Sequence, residues 1–466
     1  MRDKVTIAII GAGSVMFSKG TIGDILLSDV LTRWPLDLRL MDIEASHLEG
    51  IEQFTAAAAS QLGRQVTASA TTHLAAAVEG ADFVITAFEK DRYRHWAQDF
   101  HIPRKYGFAQ IYGENGGPGG MFHALRNMGP LLEVAHTMER LCPAAWLINY
   151  SNPEAKLVQA VAKLTSVPVV GMCHGVFDGR RQLSKLLELP PELIETVGCG
   201  LNHCAWFQRI RHKETGEDLY PLLRERERAA HWLGHWDELA LSRILFRTFG
   251  LWAYPSTNHT GEYLRWAAPF MATEGMQYFY DPVEKSTGGQ QGENPTFVYD
   301  LQGRPTETPL YGADVRQVYP TWGAVTDGGT IRPSGEEGVR ILEGIVGGAE
   351  GSAEGGEARA LATVNMVNRG CIPGLPDDMV VEAPAVADAA GVHLQQMEAL
   401  PTGVTALLAL QGQINALLIE AYAERSRRKL LQALLIDPTV STYANAVALI
   451  DEMCTVQGEL LPPLAW

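Results

Sequence analysis

Three short segments carry the residue types that could do chemistry. They are Asn149-Tyr150-Ser151-Asn152-Pro153, Gly171-Met172-Cys173-His174-Gly175-Val176 and Gly200-Leu201-Asn202-His203-Cys204-Ala205-Trp206. A thiolate and an imidazole on separate elements can hold a divalent transition metal. Two protein ligands leave coordination positions open for substrate oxygens, as a Lewis-acid site requires. The spacing fits equally a buried inert cysteine and a satisfied core histidine. A different chemistry starts at the N-terminus, where Gly11-Ala12-Gly13-Ser14 follows the β-branched run Lys4–Ile10. Glycines in such a turn permit positive φ and close approach to a pyrophosphate, and the next helix offers free amides to the anion. Position 16, where a third glycine would complete the fingerprint, is Met. Asp42 ends the second apolar run, so it can accept ribose hydroxyls, which favours NAD over its 2′-phosphorylated form, or cap the helix that follows. Gly113-Glu114-Asn115-Gly116-Gly117-Pro118-Gly119-Gly120 is a second glycine-rich loop. It is either an interdomain turn or a polar pocket wall built from amides and Glu114.

The elements that position these segments alternate in type. Lys4–Ile10, Leu36–Met41, Val66–Ala70, Asp82–Ala87, Trp146–Asn149 and Val167–Gly171 read as strands. Helices are expected at Ser18–Ser28, Ala45–Leu62, Leu74–Val78, Met121–Leu141 and Glu154–Leu164. That order predicts an α/β fold with an N-terminal Rossmann doubly wound parallel sheet over 1–195. Beyond residue 195 the texture changes to frequent Trp, Tyr, Pro and Gly, so 196–466 is expected to be a C-terminal α+β substrate-binding and oligomerisation domain, in the style of lactate and malate dehydrogenases. Gly288–Pro295 reads as a loop and Gly347–Gly356 as a solvated connection. Val404–Leu435 and Tyr443–Cys454 have helical spacing.

The whole chain narrows the classes. Its 466 residues are 46% hydrophobic and 20% charged, with a net charge of −16. That acidity and the lack of a dense Lys/Arg run argue against nucleic acid. No apolar run of membrane-spanning length is expected, hence no membrane partner. Six scattered cysteines suit a reducing cytoplasm better than a disulfide framework.

Taken together, IIGAGS, GENGGPGG, NYSNPE, GMCHGV, GLNHCAWF, NHTGEYLRW and VNMVNRGCIPGLPDDMVVEAPAVADAAGV resemble glycoside hydrolase family 4, the NAD-dependent glycosidases. Seven motifs in one order cover nearly the whole chain. The resemblance implies Cys173 and His203 as ligands of Mn²⁺ or another divalent transition metal, and Tyr263 as catalytic base. It puts the leaving-group acid after the ligand cysteine, where α-acting members carry Asp and this chain has His174. Gly11, Gly13, Ser14, Asp42 and Asn152 are expected on the NAD side, with Glu114, Asn149 and Arg265 on the sugar side. A homodimer or homotetramer is the family's usual state.

The resemblance also implies a mechanism. NAD⁺ takes hydride from sugar carbon 3, the carbon 2 proton becomes acidic, the aglycone is eliminated, water adds, and the hydride returns. The net reaction is hydrolysis. The tetrad Cys173-His174-Gly175-Val176 resembles that of α-glucuronidases, against galactoside and 6-phosphoglucoside patterns. A uronate would want a cation, for which Arg94 and Arg265 are candidates. An α-galactosidase or α-glucosidase is the alternative within the family. Outside it stand a 2-hydroxyacid dehydrogenase, which lacks the Cys173/His203 pair, and a non-catalytic nicotinamide sensor, which needs no metal.

Overall fold

The computed structural model describes residues 3–48, 50–90, 92–229, 239–267, 297–299, 305–309, 331–348 and 358–466. Gly288–Pro295 and most of Gly347–Gly356 lie outside the described residues.

The first half is built as the alternation predicts. Strands β1 (Val5–Ile10), β2 (Leu36–Met41), β3 (Val66–Thr71), β4 (Phe83–Thr86), β5 (Trp146–Asn149) and β6 (Val169–Gly171) form a parallel array in the order β3-β2-β1-β4-β5-β6. All six residues of β1 are buried, as a central strand covered on both faces requires. β3 alternates half-buried and exposed residues because it is the edge. The expected helix Ala45–Leu62 is broken in two, Ala45–Leu48 and Ile51–Leu62, by Gly50 at φ 86°. A helix at Arg92–Lys105, which the pattern did not announce, precedes the long helix Gly117–Leu141.

The second half continues the same sheet. β7 (Ile194–Leu201) and β8 (Cys204–His212) form a long antiparallel hairpin, and β9 (Trp252–Tyr254) pairs with β8. A small separate pair, β10 (Phe297–Tyr299) and β11 (Pro305–Pro309), follows. β12 (Arg359–Val367) and β13 (Val380–Asp388) then insert between β6 and β7, with β14 (Gly391–Leu394) against β13. Among the described residues twelve strands therefore share one sheet, parallel in its first part and antiparallel in its second. One register row runs through Gly171, Asn365, Glu382 and Gly200 across β6, β12, β13 and β7.

The expected helix Val404–Leu435 is two helices. Thr402–Glu424 ends on Arg425 in the left-handed region, and Arg427–Ile436 restarts with the Ser426 side chain accepting from the Lys429 amide. Thr402–Glu424 is long and apolar enough to cross a membrane by length and composition, which the sequence reading did not expect. Its buried face includes Gln411 and Asn415, and it packs against Arg427–Ile436, Glu154–Leu164 and Gly117–Leu141. All six cysteines are free thiols.

Candidate functional site

The turn after β1 is shaped for close approach. Gly11 has φ +85°, and a Cβ there would lie 2.2 Å from the Ala87 carbonyl oxygen. A Cβ at Gly13 would meet His47 Cβ at 2.4 Å and Asp42 Oδ2 at 2.6 Å. The Asp42 carboxylate accepts from the Gly13 amide at 3.0 Å and from the Glu44 amide at 3.1 Å. It therefore closes the turn onto the β2 end. Ser14 is the N-cap residue of helix Val15–Leu27 and its side chain makes no capping bond, so that helix start follows directly on the glycines without a side-chain cap.

The neighbouring strand ends hold the asparagine segment rigidly. Asn149 is fully buried; its Oδ1 accepts from the Thr86 hydroxyl and the Ser151 amide, and its Nδ2 donates to the Ser151 carbonyl. Asn149 thus shapes the loop with its own side chain engaged. The Asn152 carbonyl accepts from Asn127, and the Asn152 side chain is half-buried.

The glycine-rich loop is a clamp. Glu262 is buried, and its Oε2 accepts from the backbone amides of Asn115 and Gly116. A Cβ on Gly116 would lie 2.7 Å from Glu262 Cβ and 2.8 Å from its carbonyl oxygen. Only a residue without a side chain lets the loop sit this close to the Glu262-Tyr263 segment. The clamp aims Glu114 at two histidines. His203 sits at φ 66° in the turn between β7 and β8, and His259 comes from the short helix Thr257–Gly261 after β9. Ligand atoms of Glu114, His203 and His259 all lie within 4.8 Å of one another. The two imidazoles meet edge to face at 4.1 Å. His203 Nδ1 is buried with no hydrogen-bond partner, whereas His259 Nδ1 pairs with the Ser256 hydroxyl at 2.7 Å. Burial pushes both imidazoles down, reinforced for His203 by His259, so both are neutral at pH 7; His259 falls to about 4. Neutral imidazoles with an orphaned nitrogen, beside a carboxylate, are the donor set of a divalent-metal site.

Cys173 is adjacent to this cluster without being one of the three. Its thiol hydrogen-bonds the side chain of Asn202, the residue before His203, and burial pushes it well up. Asn202 in turn donates to Glu382 Oε2 at 3.1 Å. Beneath them Glu154 and Glu382 are both buried. A Cβ on Gly171 would fall 1.2 Å from Glu154 Oε1, so this glycine exists to admit a carboxyl. Burial, then the proximity of Glu382, raises Glu154 well above the usual range; burial brings Glu382 to about 7.

Tyr263 is buried, and its hydroxyl donates to the Asn202 carbonyl at 3.3 Å. Arg265 is exposed on the turn beyond it. His174 is exposed, with Asp178 Oδ2 3.4 Å and Glu336 Oε1 3.3 Å from its ring nitrogens. The side chain of Arg94 lies outside the described residues. The structure thus brings Cys173, His203, Glu114 and Tyr263 into one neighbourhood and leaves His174 and Arg265 toward solvent. Two site residues were missed: His259 and Arg92. Arg92 is paired to Glu89 Oε2 at 3.0 Å and to Glu114 Oε1 at 2.6 Å. Burial opposes ionisation of Glu89, but His123, Arg92 and Arg126 around it hold its carboxyl well below the usual range. His259 sits four residues before Tyr263 within NHTGEYLRW, about one helical turn, a spacing that does not by itself single it out.

A Rossmann sheet with a glycine turn after its first strand, joined to a histidine–carboxylate cluster from later segments, defines the class: an α/β protein built for a dinucleotide and a polar ligand. The chain belongs to the family 4 glycosyl hydrolases, whose model matches residues 6–189 and whose C-terminal-domain model matches residues 198–440. It is 31% identical to an α-glucosidase of Erwinia rhapontici, over 97% of each chain. It is 28% identical to an α-galactosidase of Bacillus subtilis strain 168, over 98% of this chain and 99% of that one. Among solved structures, a 6-phospho-α-glucosidase from gut microorganisms, in complex with NAD and Mn²⁺, superposes with a TM-score of 0.76 at 23% identity, covering 99% of this chain and 100% of that one.

Proposed function

We propose that the chain is an NAD- and Mn²⁺-dependent α-glycosidase of the oxidation–elimination–addition type, acting on a non-phosphorylated sugar. The observation that carries this reading is the Glu114/His203/His259 cluster, with Cys173 and Tyr263 beside it. NAD⁺ would supply a reversible hydride acceptor and Mn²⁺ the Lewis acidity that a sugar carbon–hydrogen bond needs before any side chain can attack it. His203, His259, Glu114 and Cys173 are the residues that would hold the metal. Gly11, Gly13, Ser14 and the first amides of helix Val15–Leu27 would hold the pyrophosphate, with Asp42 on the ribose side. Tyr263 is the general base for the carbon 2 proton. Asn149 and Asn152 fix the loop between cofactor and sugar.

The sugar is an α-glucoside or α-galactoside. The relatives of 31% and 28% identity support this. An α-glucuronide is the second reading, favoured by the Cys173-His174-Gly175-Val176 tetrad and by the exposed Arg265 near Tyr263. The test is hydrolysis of aryl α-glucoside, α-galactoside and α-glucuronide with Mn²⁺, NAD⁺ and a thiol reductant, omitting each in turn. Hydrolysis that survives stripping of both NAD⁺ and metal sinks the mechanism; the preferred glycoside decides the sugar.

A further inference from the structure

Lys156 has no part in the chemistry described so far, yet it is buried at the centre of it. It sits on the first turn of helix Glu154–Leu164 with its side chain almost wholly enclosed. Its ammonium donates to the Asn115 carbonyl in the glycine-rich loop and stands 5.8 Å from the centre of the Tyr263 ring. A buried ammonium is expensive unless something needs it. We propose that Lys156 is the positioning cation that lets Tyr263 work as a base, its charge stabilising the phenolate while its bond to Asn115 ties the glycine-rich loop to the same point. This rests on the reading of Tyr263 as the carbon 2 base.

The need for such a cation follows from what surrounds the phenol. Burial pushes Tyr263 well above the usual phenol range, and Glu262, Cys204, Glu114 and Glu154 push the same way. These groups disfavour the phenolate, so a cation facing the same ring favours the form that can accept a proton. Lys156 is the nearby positive charge on the opposite element. Burial lowers the lysine itself to about 8, with Glu262 and Asp437 holding it up, so it carries charge at neutral pH. With the ammonium 5.8 Å from the ring centre and an effective dielectric near 20, one unit charge favours ionisation of the phenol by about 1–2 pH units, or about 10–100-fold. In the proposed step Tyr263 has first lost its phenolic proton to bulk solvent. The carbon 2 proton then bonds to the phenolate oxygen. The electron pair it leaves forms the carbon 1–carbon 2 double bond as the aglycone departs with the carbon 1–oxygen pair.

The experiment is the rate of carbon 2 deuterium wash-in from D₂O against pH. It uses the full chain with NAD⁺, Mn²⁺ and the hydrolysed aryl glycoside, for wild type, Tyr263→Phe, Lys156→Gln, Lys156→Met and Lys156→Arg. NAD⁺ affinity and circular dichroism report the fold. Lys156→Gln and Lys156→Met should slow wash-in about 10–100-fold and move the rising limb of the profile up by about 1–2 units, at unchanged NAD⁺ affinity. Lys156→Arg, whatever its absolute rate, should keep the limb within about half a unit of wild type. A folded neutral variant with the wild-type limb overturns the inference, as does equal displacement in the Arg and Gln variants. If neither neutral variant folds, the arginine variant decides, since a limb displaced by a unit or more refutes the charge role and an undisplaced one supports it. Full wash-in by Tyr263→Phe would instead sink the base assignment, whatever Lys156 does.

Discussion

Gly116 is the sharpest place to perturb the site without touching any reacting group. Its backbone, at φ −110° and ψ 171°, suits any residue, so Gly116→Ala introduces no conformational strain. The added methyl meets Glu262 Cβ at 2.7 Å, its carbonyl oxygen at 2.8 Å and its carbonyl carbon at 2.9 Å. Two of these are backbone atoms and cannot rotate away. Reaching ordinary contact requires the loop and the Glu262-Tyr263 segment to part by about 0.5–0.7 Å, the usual response to overpacking at about 1–3 kcal/mol. In a chain of this size that is only about 1–3 °C of melting temperature, because the unfolding entropy scales with length. The functional cost is larger. Glu114 is on one side of the wedge and Tyr263 on the other, and a misplacement approaching 1 Å costs about 10²-fold in rate. Steady-state kinetics of Gly116→Ala should therefore show kcat down about 10–100-fold, with NAD⁺ affinity unchanged because the Gly11–Gly13 turn is on a different strand end. Full kcat at an unchanged melting temperature would refute the close approach of loop and tyrosine segment.

His203→Ala and His259→Ala should each weaken Mn²⁺ binding by about 10–100-fold or more, read by electron paramagnetic resonance of free Mn²⁺, with NAD⁺ binding retained; an unaltered affinity in His259→Ala would remove it from the donor set. Asp42→Ala should raise the NAD⁺ dissociation constant about tenfold, because the Gly13 turn loses its carboxylate anchor and the ribose its acceptor; unchanged affinity would leave Asp42 a turn-closing residue alone. Tyr263→Phe should abolish carbon 2 deuterium wash-in. Glu382 is raised by burial from 4.5 to about 7, so its protonated form stabilises the fold fully below the unfolded value, and that contribution is lost as pH rises through about 7. Urea midpoints should accordingly fall between pH 5 and 8 in wild type and flatten in Glu382→Gln; parallel profiles would place the carboxyl in water.

The first half was legible because its physics is local. A strand covered on both faces must be apolar throughout, as Val5–Ile10 is, and the helix between two such strands follows from connectivity. Glycine-rich turns announced themselves, but not their reasons: Gly171 faces Glu154, and Gly116 faces Glu262, from distant parts of the chain. The β7–β8 hairpin was not assigned because its turn uses Asn202-His203, with a histidine at positive φ in place of the usual glycine. The break at Arg425 was invisible for the same reason: an arginine occupies the left-handed position. Helix Arg92–Lys105 is strongly polar and contains Pro103, so periodicity underrates it. Cys173, His203 and Tyr263 were legible through ordered motifs. Lys156, Arg92 and His259 were not, because what makes them site residues is a long-range neighbour rather than a spacing.

β12 and β13, from residues 359–388, lie between β6 and β7, which are consecutive strands in the chain. A cut near residue 195 therefore does not release two modules. It would strip β6 of β12 and β7 of β13, opening two sheet edges that the intact chain closes through the Gly171–Asn365 and Gly200–Glu382 pairs. Exchanging halves between relatives of different sugar preference should give aggregates rather than hybrids. New specificity is more accessible by changing the segments that follow β6 and join β7 to β8 than by shuffling the parts on either side of the Gly171, Asn365, Glu382 and Gly200 row.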